Sequence, residues 1–211
     1  MLRPLVAAAA ALLLSLHAVA AEPADPPQAA GLRCPSGAQL ERDSQRRSAW
    51  CAKPDGTQHG PSFSWHADGR PRAEAGFEAG ELQGPYREWY ASGQLKEEAT
   101  YRGGAREDVA RTWYPDGTPR SEESYAGGKL HGRSTRWHPN GKLFVVSDYK
   151  EGRRHGTAET WYEDGTRQTK GQFVDGQYHG TWTGWWEDGT KKKVAEFDHG
   201  RELSREFYDR K

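Results

Sequence analysis

The sequence predicts an all-β protein: one elongated, single antiparallel meander sheet built from six 24-residue β-hairpin repeats. Three observations predict it. Trp65, Trp89, Trp113, Trp137, Trp161 and Trp185 recur every 24 residues without a slip. Gly69, Gly93, Gly117, Gly141, Gly165 and Gly189 follow each tryptophan by four, and Phe77, Tyr101, Tyr125, Tyr149, Phe173 and Phe197 follow by twelve. Gly80, Gly104, Gly128, Gly152, Gly176 and Gly200 close each unit, while Gly60, Gly84, Gly132, Gly156 and Gly180 open five of the six. Such a period marks a repeat architecture, in which each unit buries apolar surface mainly against its neighbours.

Composition agrees. A hydrophobic fraction of 34% leans towards disorder on its own. Nine Trp, nine Tyr and six Phe oppose that, because each ring buries a large area with few rotors. Twenty-five Gly and twelve Pro imply frequent turns. Net charge is zero and no basic block occurs, so there is no electrostatic footprint for nucleic acid. The same balance argues against strong attraction to anionic lipid.

The elements follow in chain order. Residues 1–21 read as a signal peptide: Arg3, an apolar run from Leu5 to Leu16, and the small-residue cleavage pattern Ala18-Val19-Ala20. The run is too short to span a bilayer, and cleavage after Ala20 or Ala21 is expected. Export then places the chain in the periplasm or outside the cell. The mature chain carries 29 basic and 30 acidic residues, a charge of −1. Residues 22–31, with Pro23, Pro26 and Pro27, read as a linker. Residues 32–59 read as an N-terminal cap, closed by a disulfide between Cys34 and Cys51 in an oxidising compartment. Closing that loop contributes about 3 kcal/mol on a chain-entropy account.

Residues 60–203 hold the six repeats. After each tryptophan comes a loop such as Pro115-Asp116-Gly117 or Pro139-Asn140-Gly141. Pro suits the first corner of a type I turn and Gly the left-handed position after it, which gives a three-residue hairpin loop. Tyr114 then faces Thr118 and Trp113 faces Pro119. Simple alternation places Trp113 and Tyr125 on one face, with Phe63, Leu95, Ala99, Leu143 and Val145 in other copies. That is the expected buried face. Glu98, Glu122, Lys96, Arg120 and Lys192 fall on the other. Pro71 and Pro119 remove ladder donors and predict short or bulged strands there. The segment joining units is bracketed by glycines, as in Gly128-Lys129-Leu130-His131-Gly132. Asp108 replaces the opening Gly of the third unit and predicts an irregular loop. Residues 204–211 depart from the pattern, with Ser204 for Gly and Asp209 for Trp, and read as a C-terminal cap.

The pattern Gly156-Thr-Ala-Glu-Thr-Trp161-Tyr162-Glu-Asp-Gly165, followed by Phe173-Val-Asp-Gly176, resembles the MORN-repeat-variant family of bacterial proteins, sometimes called the antitoxin type. The resemblance runs from about Gly56 to Gly200. It implies a β-hairpin array used for interaction. Some relatives act as antitoxins towards a partner toxin, and MORN repeats proper are linked to membrane association and scaffolding.

No nucleophile motif, metalloprotease motif or phosphate loop occurs, and adjacent acids such as Glu97 and Glu98 point to opposite faces, so no enzyme is expected. His59, His131, His155 and His179 share one repeat position, but copies two strands apart are about 9.6 Å from each other. They cannot share a zinc ion, which holds nitrogen at about 2.0–2.1 Å. No metal and no cofactor are expected. The tryptophans read as the structural core of the repeats, or else as an exposed platform. The candidate partner-binding face carries His66, Tyr90, Tyr114, His138, Tyr162 and Trp186, each one residue after a tryptophan, together with Trp182. Aromatic rows are common on partner surfaces, although cross-strand packing alone would also place them there. A protein partner is the leading expectation and a glycan the second. A single sheet must also cover its apolar face, by curling, by packing on the N-terminal loop, or by dimerising.

Overall fold

The computed structural model describes residues 31–210. The expected signal peptide (1–21) and all but the last residue of the expected linker lie outside the described residues. Fifteen strands pair in chain order in one antiparallel sheet without a crossover, and no helix occurs among the described residues. β1 (Gln39–Asp43) and β2 (Ser48–Ala52) precede the repeats. The six units are β3 (Gln58–Trp65) with β4 (Pro71–Glu78), β5 (Glu81–Trp89) with β6 (Leu95–Arg102), and β7 (Ala105–Trp113) with β8 (Pro119–Ala126). They continue with β9 (Lys129–Trp137) and β10 (Leu143–Lys150), β11 (Arg153–Trp161) and β12 (Arg167–Val174), and β13 (Gln177–Trp185) and β14 (Lys191–Asp198). β15 (Arg201–Phe207) follows as a lone half-unit.

The loop within each hairpin has the expected geometry. Gly117 N–H donates to Tyr114 O at 2.9 Å, and Tyr114 N–H to Thr118 O at 2.8 Å, with Gly117 at φ 89°. Trp113 pairs with Pro119. Pro119 heads its strand, where the missing N–H does least harm.

The connection between hairpins is tighter than the glycine brackets suggest. Ala126 pairs with Lys129, so only Gly127 and Gly128 turn, both with positive φ (54° and 78°). This is the two-residue primed turn that matches strand twist. Leu130, His131 and Gly132 therefore belong to β9. The first corner of this turn is left-handed in all six copies, including Ala79, Glu151, Asp175 and His199. Asp108 takes φ 61° at the opening-glycine position, and β7 runs through it unbroken, so the third unit has no irregular loop there.

A bulge reverses the expected assignment of faces. Trp113 pairs with Pro119, but Thr112 pairs with Ser121, which leaves Arg120 as an extra residue. Two residues opposing one shifts the alternation by one position. Ser121, Glu123 and Tyr125 then share a face with Thr112 and Ala110, and Trp113 lies on the other. The same shift occurs in every unit. We call these the alanine face and the tryptophan face. On the alanine face small residues are almost sealed: Ala99 is 2% exposed and Ala195 1%. Each sits opposite a large ring, Tyr86 against Ala99 and Trp182 against Ala195. Large beside small fills the layer without voids.

On the tryptophan face the described residues cover only the N-terminal end. Phe63 and Trp65 stack with centroids 6.2 Å apart, join buried Ala49, and are packed by Leu32 and Leu40 of the cap. The Cys34–Cys51 disulfide ties that cap to β2. Trp89, Trp113, Trp137, Trp161 and Trp185 are only half-buried. Between them run charge pairs across the strands, such as Arg87–Glu98 at 3.0 Å and Arg111–Glu122 at 2.8 Å. Such exposed pairs contribute well under about 1 kcal/mol each.

Candidate functional site

The residue after each tryptophan is drawn into the joints between units. Tyr90, Tyr114 and Tyr162 donate their hydroxyls to the backbone oxygens of Trp113, Trp137 and Trp185, each at 2.9 Å. His66 and His138 reach Trp89 O and Trp161 O through Nε2, at 3.0 and 3.1 Å. Five of the seven candidate partner-face residues thus use their polar tips to bond one unit to the next. At the turn end the closing glycine does a similar job, as Gly128 N–H donates to Arg106 O at 2.9 Å. The bulge residue covers the outer side of this row: Lys96 lies over Tyr90, Arg120 over Tyr114, and Phe144 against His138.

Trp186 bonds no following unit among the described residues. Its Nε1 is buried without a hydrogen-bond partner, and its ring lies between Lys192 at 4.1 Å and Arg210 at 5.9 Å. Arg210 also bonds Asp188 at 2.9 Å, which holds the C-terminal residues against the last loop. Thr190 donates to the Asp188 carboxyl through its hydroxyl and its N–H, and with Arg210 adding to these the carboxyl is held down at about 2.

Trp182 departs from the row and is the centre of a groove. The groove has a volume of about 570 Å³ and runs along the alanine face across β10–β14. Phe173, Tyr178, Trp182 and Phe197 line it, with Tyr162 at one end. Tyr178 lies 4.7–5.2 Å from the other three rings, at tilted or edge-on angles that suit their quadrupoles. Gly171 makes room for this cluster, because a Cβ there would come within 2.1 Å of the Trp182 ring. Trp182 Nε1 donates to Gln172 O at 3.0 Å, which fixes the ring over Gly171. Tyr178 stays 44% exposed at the mouth.

Charge in the groove has one sign. Arg154 lies over Phe173 at 5.2 Å, and Lys192 and Lys193 line the far side. None of these three cations has a carboxylate within 4 Å among the described residues, and no acid lines the groove. The alanine face of the earlier units is different. Arg106 there bonds Glu97, Tyr101 and Tyr125, and Arg136 bonds Glu123, so its charges are internally matched. Burial, then the Glu88 and Glu97 carboxylates, push the Tyr86 phenol up to about 12.

Sequence reasoning placed Trp182 and Trp186 on one face, and the register agrees with that. It missed Phe173, Tyr178 and Phe197 as groove residues. The signal that would have found them is the tight turn: Phe173 pairs with Tyr178 across it, which sets the two aromatics side by side. The shared histidine position serves the adjacent turn, where Ala79 N–H and Asp175 N–H donate to His59 Nδ1 and His155 Nδ1, both at 3.4 Å.

The family of MORN repeat variants matches the chain at residues 82–102, 130–151 and 154–175, three of the six hairpins. No curated protein matches it. The matched segments each span the tryptophan strand, the glycine loop and the aromatic strand described above, and the other three hairpins repeat that geometry in the same sheet. Three hairpins of this sheet are therefore MORN-variant repeats.

Proposed function

We propose that this is an exported, non-enzymatic interaction module that holds a protein partner on the β10–β14 groove. One observation supports the reading above others: the fifth and sixth units gather four aromatic rings and three unmatched cations on one face. Exposed aromatic and arginine side chains in a concave patch are the usual anchors of protein interfaces. A toxin held in an inhibited state is one such partner, and the family resemblance suggests it. A glycan is the second reading, favoured by Thr160, Gln168, Thr169 and Thr183 among the rings.

The test is capture. The chain from Glu22 onward, immobilised, is mixed with envelope and secreted fractions of its host. One abundant protein, lost on Tyr178→Ala with Lys193→Glu and kept on Lys96→Glu, is the expected result. Retention of cell-wall polymer in place of any protein overturns it in favour of the glycan.

A further inference from the structure

Because the chain repeats one unit six times, each position comes with five internal controls. His179 of β13, and Asp198 and His199 at the turn after β14, stand out against those controls. The position of Asp198 is Glu78, Arg102, Ala126, Lys150 and Val174 in the other units, and that of His199 is Ala79, Gly103, Gly127, Glu151 and Asp175. Only the sixth unit brings two imidazoles and a carboxylate together. The nearest equivalent, His155 with Asp175 at 3.3 Å, has two such groups.

The three donor atoms lie within 4.8 Å of one another. Asp198 Oδ1 is 2.6 Å from His199 Nδ1 and 3.8 Å from His179 Nδ1, and the two imidazole rings are 5.1 Å apart. His179 Nδ1 is buried and makes no hydrogen bond. Donors around one tetrahedral zinc ion sit roughly 3.2–3.5 Å apart. Side-chain rotations of about 1 Å would bring these three to that spacing, with the remaining position open to water. His199 holds a left-handed backbone (φ 45°) that glycine fills in two other units, so its side chain is kept where glycine would serve the turn better.

The geometry points to a binding site for a divalent transition-metal ion of the zinc type, built from His179, Asp198 and His199. Two imidazoles and one carboxylate are a donor set suited to zinc rather than to calcium or magnesium. The site joins β13 to the turn that leads into β15. A bound ion therefore ties down the last strand, every residue of which is exposed.

The test is a zinc chloride titration of the untagged chain from Glu22 onward, followed by calorimetry, with cobalt absorption as a check on coordination. One ion per chain at micromolar or lower Kd is expected. His179→Ala, Asp198→Asn and His199→Gly should each weaken binding at least tenfold, and His155→Ala should not. His199→Gly suits the left-handed turn, so misfolding does not explain its loss. Zinc should raise the melting temperature of the parent chain and leave that of His199→Gly unchanged. Absence of a saturable site, or equal loss with His155→Ala, overturns the proposal. The titration needs no partner, so its failure is separate from failure of the interaction reading.

Discussion

Trp65 and Trp161 occupy the same place in the same repeat, yet Trp65 is 8% exposed and Trp161 is only half-buried. The difference is the N-terminal cap, whose Leu32 and Leu40 lie over the tryptophan face at one end. The repeat by itself makes a surface. It becomes a core only where another segment covers it. The opposite end spends its aromatics differently, on the alanine face, in an open groove around Trp182.

The comparison is broken or sharpened by measuring the two ends separately. Trp65→Ala should lower unfolding free energy by about 3–5 kcal/mol, and Trp161→Ala by less than half of that. Equal losses in urea unfolding would mean that the cap adds nothing. Reducing Cys34–Cys51, which closes a separation of 17 residues, should lower stability by about 3 kcal/mol. Hydrogen exchange should place that loss in β1–β4 and leave β11–β14 protected.

Within the array, Tyr114→Phe removes the hydroxyl bond to Trp137 O and should destabilise by about 1 kcal/mol. Tyr178→Phe, whose hydroxyl bonds no described residue, should change stability little and binding more. Glu151→Gly should stabilise by up to about 1 kcal/mol, by relieving a left-handed non-glycine residue. The smallest effect concerns acid. Asp188 is depressed to about 2 from 3.8, so the tether to Arg210 is present above pH 4 and fades as pH falls through 2. Fluorescence of Trp186 should report that fading while the disulfide-held end stays unchanged.

The period was fully legible, because in every unit glycine fills two positive-φ positions, the end of the hairpin loop and the second corner of the tight turn. Gly117 and Gly128 alone imply two turns per unit. The faces were not legible by alternation. The bulge at Arg120 has no sequence marker, since Lys96, Phe144 and Gln168 fill the same place. Without it, Trp113 and Tyr125 fall on one face; with it, they part. The bonds between units were not legible for a related reason. Tyr and His after each tryptophan look like an exposed row until the next unit's carbonyl lies within reach. Trp182 and Gly171 could have been read as a complementary pair, but only once Ala158 was known to face Gly171.

Strong contact in this sheet is confined to strands adjacent in the chain, and the hydroxyl and glycine staples each join one unit only to the next. Nothing in the first hairpin depends on how many come after it. The protein is thus a ruler whose length can be edited in steps of 24 residues. Deleting one whole step rejoins a tryptophan strand to a matching turn and shortens the ruler by about 9.6 Å. Removing an odd number of residues would instead turn every later side chain to the opposite face. Gene duplication can therefore set the distance between cap and groove without redesigning either one.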